Sequence, residues 1–119
     1  MSGTKQLRQL ANSVPRLIDK IDVELQDVSR RMKALERAGL IYASEHWREE
    51  KYLYLIYPMR EGDRRRVYIG ADAERVAAAR AGIERGREFD QLAKKRREIE
   101  SCMNNASSAL RDAVRSLQW

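Results

Sequence analysis

The sequence predicts an α+β protein that is mostly α, with a long helix, a β-hairpin that a third strand could extend, and a second long helix. Apolar residues recur at helical spacing in both halves of the chain, and a Tyr-rich segment with alternating spacing lies between them. Residues 7–37 and 87–117 are equally long, about 46 Å as helices. We therefore expect one domain, residues 1–119, with these segments as an antiparallel coiled-coil stalk and residues 40–86 as a β head.

The first helix is predicted by an apolar seam whose gaps are three or four residues. Its members are Leu7, Leu10, Val14, Leu17, Ile21, Leu25, Val28, Met32 and Leu35. Pro15 lies inside the seam and follows Ser13, a residue suited to an N-cap, so we expect a short separate helix before residue 13 or a kink. Gly39 can adopt the left-handed conformation and predicts the end of the helix.

The head is predicted from residues 51–70. "KYLYLIYP" alternates as a strand, "MREGDR" carries a turn around Gly62, and "RRVYIG" returns as a second strand. One face of this hairpin takes Tyr52, Tyr54, Ile56, Arg64, Arg66 and Tyr68, and the other takes Leu53, Leu55, Tyr57, Val67 and Ile69. The preceding "LIYASEHW" either adds a first strand or remains a loop or a helical turn.

The second helix is predicted to begin at Asp72, which can cap the free amides of "AERV" after Gly70 ends the strand. Gly82 and Gly86 each cost about 1 kcal/mol relative to alanine in a helix, so we expect a bend there. A two-helix stalk would leave apolar edges exposed, and Ala11, Ile18 and Leu40 widen the apolar stripe beyond the seam of one helix pair. This width predicts a homodimer whose stalks form a four-helix bundle or whose heads share a sheet.

The chain is basic, with 24 Lys and Arg against 18 Asp and Glu and a net charge of +6. This charge favours a polyanionic partner, although a basic protein also attracts acidic proteins. Cys102 is the single cysteine, so no intramolecular disulfide is expected and the cytoplasm is the simplest location. No segment approaches the ~20 apolar residues of a membrane span, so we expect no membrane partner.

The order of a Tyr-rich strand, a Gly turn, a basic strand ending in "YIG" and the acid-capped helix "ADAERVAAA" resembles two groups of proteins. One is the arm-type DNA-binding domain at the front of tyrosine recombinases, and the other is a set of uncharacterised small proteins of plasmids, phages and integrative elements. The resemblance covers about residues 51–86. In the recombinase arm domains a sheet face enters the major groove, which implies DNA contacts for Tyr52, Tyr54, Arg64, Arg66 and Tyr68. This sequence departs from the recombinase pattern, because we expect no catalytic domain within residues 1–119 and long helices on both sides of the resemblance.

The predicted binding surface combines aromatic and basic side chains: Tyr52, Tyr54, Arg64, Arg65, Arg66 and Tyr68. Arginine suits phosphate and guanine contacts, but these arginines could equally form a solvated edge that prevents strand-to-strand aggregation. The "KKRRE" run from Lys94 is interpreted as a solvated helix face. His46 is expected to cap or pack, and Trp47 and Trp119 are each expected to take a core or lid position.

No Gly-rich phosphate loop, nucleophile elbow or metal-ligand spacing is present in the sequence, so we expect no catalysis, metal or cofactor. Two functions remain. The first is a non-enzymatic, dimeric DNA-binding accessory or regulatory protein of a mobile genetic element. The second is a protein-binding module, such as an anti-CRISPR-like phage or plasmid inhibitor of a host defence complex. Tyr and Arg are enriched at both kinds of interface, so composition does not separate the two.

Overall fold

The computed structural model describes residues 2–59, 62 and 64–119 and contains two helices and one three-stranded sheet. In chain order these are α1 (Gly3–Ala38), β1 (Ser44–Arg48), β2 (Tyr52–Ile56), β3 (Arg66–Gly70) and α2 (Ala73–Leu117). The sheet is antiparallel with strand order β1-β2-β3. The predicted mostly helical α+β fold is confirmed, and the "LIYASEHW" segment contributes a strand.

The chain divides into two compact units, and both helices contribute to each. The helical unit comprises residues 2–31 with Leu92–Trp119, and the head unit comprises Met32–Gln91. In the helical unit the two helices run antiparallel, because Glu24 lies 3.5 Å from Lys95 while the earlier Ile18 and the later Leu110 line one groove. The stalk was predicted to include residues 32–37 and 87–91, but these residues belong to the head unit.

Helix α1 continues through Pro15, so the separate short helix predicted before residue 13 is wrong. The predicted N-cap at Ser13 is wrong too: its hydroxyl lies inside α1 and donates a hydrogen bond to the Leu10 carbonyl at 2.7 Å. Gly39 ends the helix at φ 106° as predicted, with its amide bonded to the Leu35 carbonyl at 3.1 Å. The side chain of Arg85 in α2 donates to the Gly39 carbonyl at 2.7 Å, which satisfies a terminal acceptor.

The core of the head unit lies between the sheet and α2. Leu53 and Leu55 of β2 are 0% and 1% exposed and cluster with Ala79 and Ile83 of α2. The prediction that Leu53 and Leu55 lie on the same face of the strand is therefore confirmed. Asp72 caps α2 as predicted, accepting a hydrogen bond from the Arg75 amide at 3.1 Å.

The turn predicted around Gly62 has that residue at φ 86°, in the left-handed region that glycine favours. The other members of this turn, Arg60, Glu61 and Asp63, lie outside the described residues. Gly70 ends β3 as expected, at φ 103°. In the part of the chain that the structure describes, no helix is long and apolar enough to cross a membrane.

Helix α2 runs unbroken past Gly82 and Gly86, and close packing explains both glycines. A Cβ at residue 82 would lie 2.5 Å from Ile41 Cδ1, and one at residue 86 would lie 3.0 Å from the Ile41 carbonyl oxygen. The two glycines therefore form a notch in α2 that admits the chain segment leading into the sheet.

Tyr42, the residue after Ile41, is bonded to α2 as well, because its hydroxyl donates a hydrogen bond to Asp90 at 3.1 Å. Partial burial raises the pKa of Tyr42, and the hydrogen bond to Asp90 raises it further.

Candidate nucleic-acid interface

The sheet has two chemically different faces. Its inner face packs on α2 through Leu53 and Leu55. The antiparallel register and the alternation of side chains define an outer face on the other side. This outer face consists of Ser44, His46, Arg48, Tyr52, Tyr54, Ile56, Arg66 and Tyr68. Tyr68 is 51% exposed, and every residue of β1 is exposed, so the outer face is open to solvent.

Two tyrosines form the centre of the outer face. Tyr54 and Tyr68 are directly opposite each other in β2 and β3, and their ring centroids lie 5.0 Å apart with planes tilted by 49°. Such cross-strand aromatic pairs stabilise a sheet and fix the positions of both rings. The guanidinium of Arg66 lies 5.9 Å from the Tyr54 ring centroid, within the range of a cation–π contact.

Strand β1 adds residues to this surface that the sequence prediction missed. His46 is opposite Tyr54 and Arg48 is opposite Tyr52, so a row of His46, Tyr54 and Tyr68 crosses all three strands. His46 is exposed in a strand, so it neither caps a helix nor lies in the core. The sequence contained one clue to this arrangement. If the apolar side chain of Trp47 points to the inner face, alternation along the strand places its neighbours His46 and Arg48 on the outer face.

An ion pair and a ring contact fasten β1 to α2 from the inner side. Arg80 donates to Glu45 at 2.8 Å, and its guanidinium lies 5.9 Å from the Trp47 ring. Trp47 itself is 37% exposed, so it does not take a core position, and a lid role for it stays a prediction. Trp119 is fully exposed at the end of the chain, so the core or lid position expected for it is wrong.

The three consecutive arginines do not share one environment. Arg66 belongs to the outer face, and Arg64 lines a groove of about 530 Å³ next to it, together with Ser44 and Ile56. Arg65 instead stacks on the ring of Tyr57, 4.4 Å from its centroid, and Tyr57 packs against the inner core. Of the six residues predicted as a binding surface, four lie on the outer face, Arg64 borders it, and Arg65 lies apart.

The charge of the outer face is positive. Its eight side chains include two arginines and no carboxylate. At one end of the face the loop between β1 and β2 adds Lys51, whose ammonium group lies 5.6 Å from the Tyr52 ring, together with Glu49 and Glu50. Cations held against fixed aromatic rings lose little side-chain freedom when they contact a ligand. The surface is therefore suited to an anionic partner with planar or phosphate groups.

Among the residues that the structure describes, no group of three or more His, Cys, Asp or Glu side chains could hold a metal ion. Comparison with known proteins gives no match to a family, a curated protein or a solved structure. The geometry and charge of the outer face are therefore the basis for assigning a function.

Proposed function

We propose that this protein is a non-enzymatic DNA-binding accessory or regulatory protein of a mobile genetic element, and that the outer face contacts the DNA. The observation that carries the proposal is the fixed Tyr54–Tyr68 ring pair, with Arg66 against it, on an open sheet face without carboxylates. The resemblance of residues 51–86 to arm-type domains supports the same surface. The placement in a mobile element comes from that resemblance as well.

The chemistry of the face suits a duplex. The major groove is about 12 Å wide and admits a two-stranded β-ribbon. The strand pair β2 and β3, which β1 extends into a three-stranded sheet, carries Tyr54, Arg66 and Tyr68 on its outer side. Guanidinium groups bind phosphate oxygens and the O6 and N7 atoms of guanine in bidentate fashion. Arg48 and Arg64, at opposite ends of the face, suit the flanking phosphates.

A second function, binding to a host protein complex, is favoured by a different observation. The groove beside the outer face has apolar walls that include Ile56, Pro58 and Met59, and Met59 is 61% exposed. Exposed apolar residues next to Tyr and Arg are typical of the anchor regions of protein interfaces. An inhibitor of a host defence complex would use the outer face and this groove together.

The test of DNA binding is a matched pair of double variants. Arg64→Ala with Arg66→Ala removes two charges from the proposed site, and Lys94→Ala with Arg97→Ala removes two from α2. Binding of each to a mixed-sequence duplex is measured by fluorescence anisotropy over a range of salt concentrations. We expect the first variant to bind more weakly and with a shallower salt dependence, by about 0.9 in logarithmic slope for each phosphate that it no longer neutralises. The control should bind as the wild type does.

Both variants should keep the melting temperature of the wild type, because exposed arginines contribute little to stability. Equal reductions of affinity in the two variants would overturn the outer face as the DNA site, because the loss would then follow overall charge. No duplex binding at low salt would overturn the DNA proposal in favour of the protein-binding function. A single-stranded oligonucleotide of equal length is a further arm. Tighter binding to it than to the duplex would contradict the duplex site and indicate unpaired bases stacking on the tyrosines.

A further inference from the structure

The helical unit has almost no core of its own. In the described part of this unit Val28 is the one buried apolar side chain. Seven large apolar residues on the two helices are 41–63% exposed: Leu7, Leu10, Leu17, Ile18, Leu110, Val114 and Leu117. Val23 is exposed as well, at 57%, but helical spacing places it on another side of α1. Monomeric proteins rarely leave such a continuous apolar area in water, and its presence marks an interaction site.

These residues form one continuous surface, here called the apolar face. Helical spacing places its four α1 members on one side of that helix and its three α2 members on one side of the other. The two sides are neighbours, because Ile18 and Leu110 line the same groove, of about 310 Å³. Its other walls are Ile21, Met103, Ala106 and Ser107, with Asp19 and Asp22 also lining it. The helix pair therefore leaves an open, mostly apolar groove instead of a closed interior.

We propose that a second copy of this chain covers the apolar face and forms a four-helix bundle with it. A stable fold needs two packed layers around a core, and the helical unit supplies one layer. From Leu7 to Ile18 the face extends over about 16 Å of α1. The whole side of the helix pair to which it belongs is about 39 Å long over residues 92–117 of α2 and about 20 Å wide, which is on the order of the 800 Å² that a stable interface buries on each partner. A small molecule would fill the groove but leave most of these leucines in water. A second copy presents an apolar face of the same length and width.

The experiment measures the molar mass of the chain in the absence of DNA. By light scattering we expect the wild type to be a dimer, with twice the 13.9 kDa mass of one chain. The double variant Leu17→Asp with Leu110→Asp should be a monomer with the mass of one chain. Each leucine is about half exposed in a single copy, so aspartate in its place meets water and the helical circular dichroism should persist. The matched control is Asn12→Asp with Asn105→Asp, which adds the same charge at positions on other sides of the two helices and should remain a dimer.

A second measurement uses the single cysteine, Cys102, which is exposed on α2. A spin label there should report one defined distance between two copies in the wild type and none in the leucine variant. A wild type that has the mass of one chain at all concentrations would overturn the proposal. So would a leucine variant that remains a dimer, or a spin-labelled wild type without an intermolecular distance. These outcomes are independent of DNA binding, because the arginine variant of the outer face should keep the mass of the wild type.

Discussion

Two glutamates in the loop between β1 and β2 adopt a backbone conformation that non-glycine residues avoid. Glu49 and Glu50 have φ values of 56° and 55°, and the Lys51 amide closes the loop by bonding to the Arg48 carbonyl at 3.2 Å. The left-handed region costs a non-glycine residue roughly 1–2 kcal/mol. The strained residues lie between Arg48 and Lys51, at one end of the outer face.

We predict that Glu49→Asn with Glu50→Gly raises the free energy of unfolding by about 1 kcal/mol, because these residues accept positive φ readily. Chemical denaturation measures the change. Glu49→Gln with Glu50→Gln is the matched control, since it removes the same charges but keeps the strain, and its stability should stay close to that of the wild type. An equal gain in both variants would show that charge repulsion, and not backbone strain, limits the stability of this loop.

At the scale of the elements, the notch of α2 determines how the chain enters the sheet. Gly82 and Gly86 remove the side chains that would meet Ile41 and Tyr42, and the Ile41 amide bonds to the Gly82 carbonyl at 3.1 Å. The helix thus tolerates two residues of low helical propensity because the segment before β1 packs directly on its backbone. The position of β1, and with it the part of the outer face that β1 supplies, depends on this close approach.

We predict that Gly82→Ala lowers the free energy of unfolding by about 1–3 kcal/mol, although alanine favours a helix by about 1 kcal/mol. The new Cβ would lie 2.5 Å from Ile41 Cδ1, so Ile41 must move. Thermal and denaturant unfolding measure the effect. Gly3→Ala is the control, because a Cβ there meets no atom within 4 Å, and it should leave stability unchanged or slightly higher. A stabilised Gly82→Ala variant would contradict the packing role of the notch.

For the molecule as a whole, the sequence predicts what local chemistry determines. The cap at Asp72, the stop at Gly39 and the inward face of Leu53 each depend on a few neighbouring residues, and all are confirmed. Features that depend on distant partners were missed. The notch requires the segment at Ile41 to lie against α2, and the outward position of His46 requires β1 to be paired with β2.

The candidate site was predicted in the same uneven way. Alternation along β2 and β3 correctly groups Tyr54, Arg66 and Tyr68, because both strands have clear apolar partners on the inner side. Arg65 was included because it adjoins the other arginines, but adjacent residues of an extended chain point to opposite sides, and its guanidinium stacks on Tyr57. Which residues share a face of a sheet is determined by the alternation of side chains along each strand and by the register between strands, and not by how close the residues are in the sequence.

The two units of the chain carry different proposed tasks: the head unit binds DNA through the outer face, and the helical unit binds a second copy through the apolar face. The most direct test of the central claim, DNA binding by the outer face, is a titration of isotope-labelled protein with a mixed-sequence duplex at low salt, followed by amide chemical shifts. We predict that the changes concentrate in β1, β2 and β3, with Tyr54, Arg66 and Tyr68 among the largest, and diminish as salt is added. Changes concentrated in the helical unit, or none at all, would contradict it.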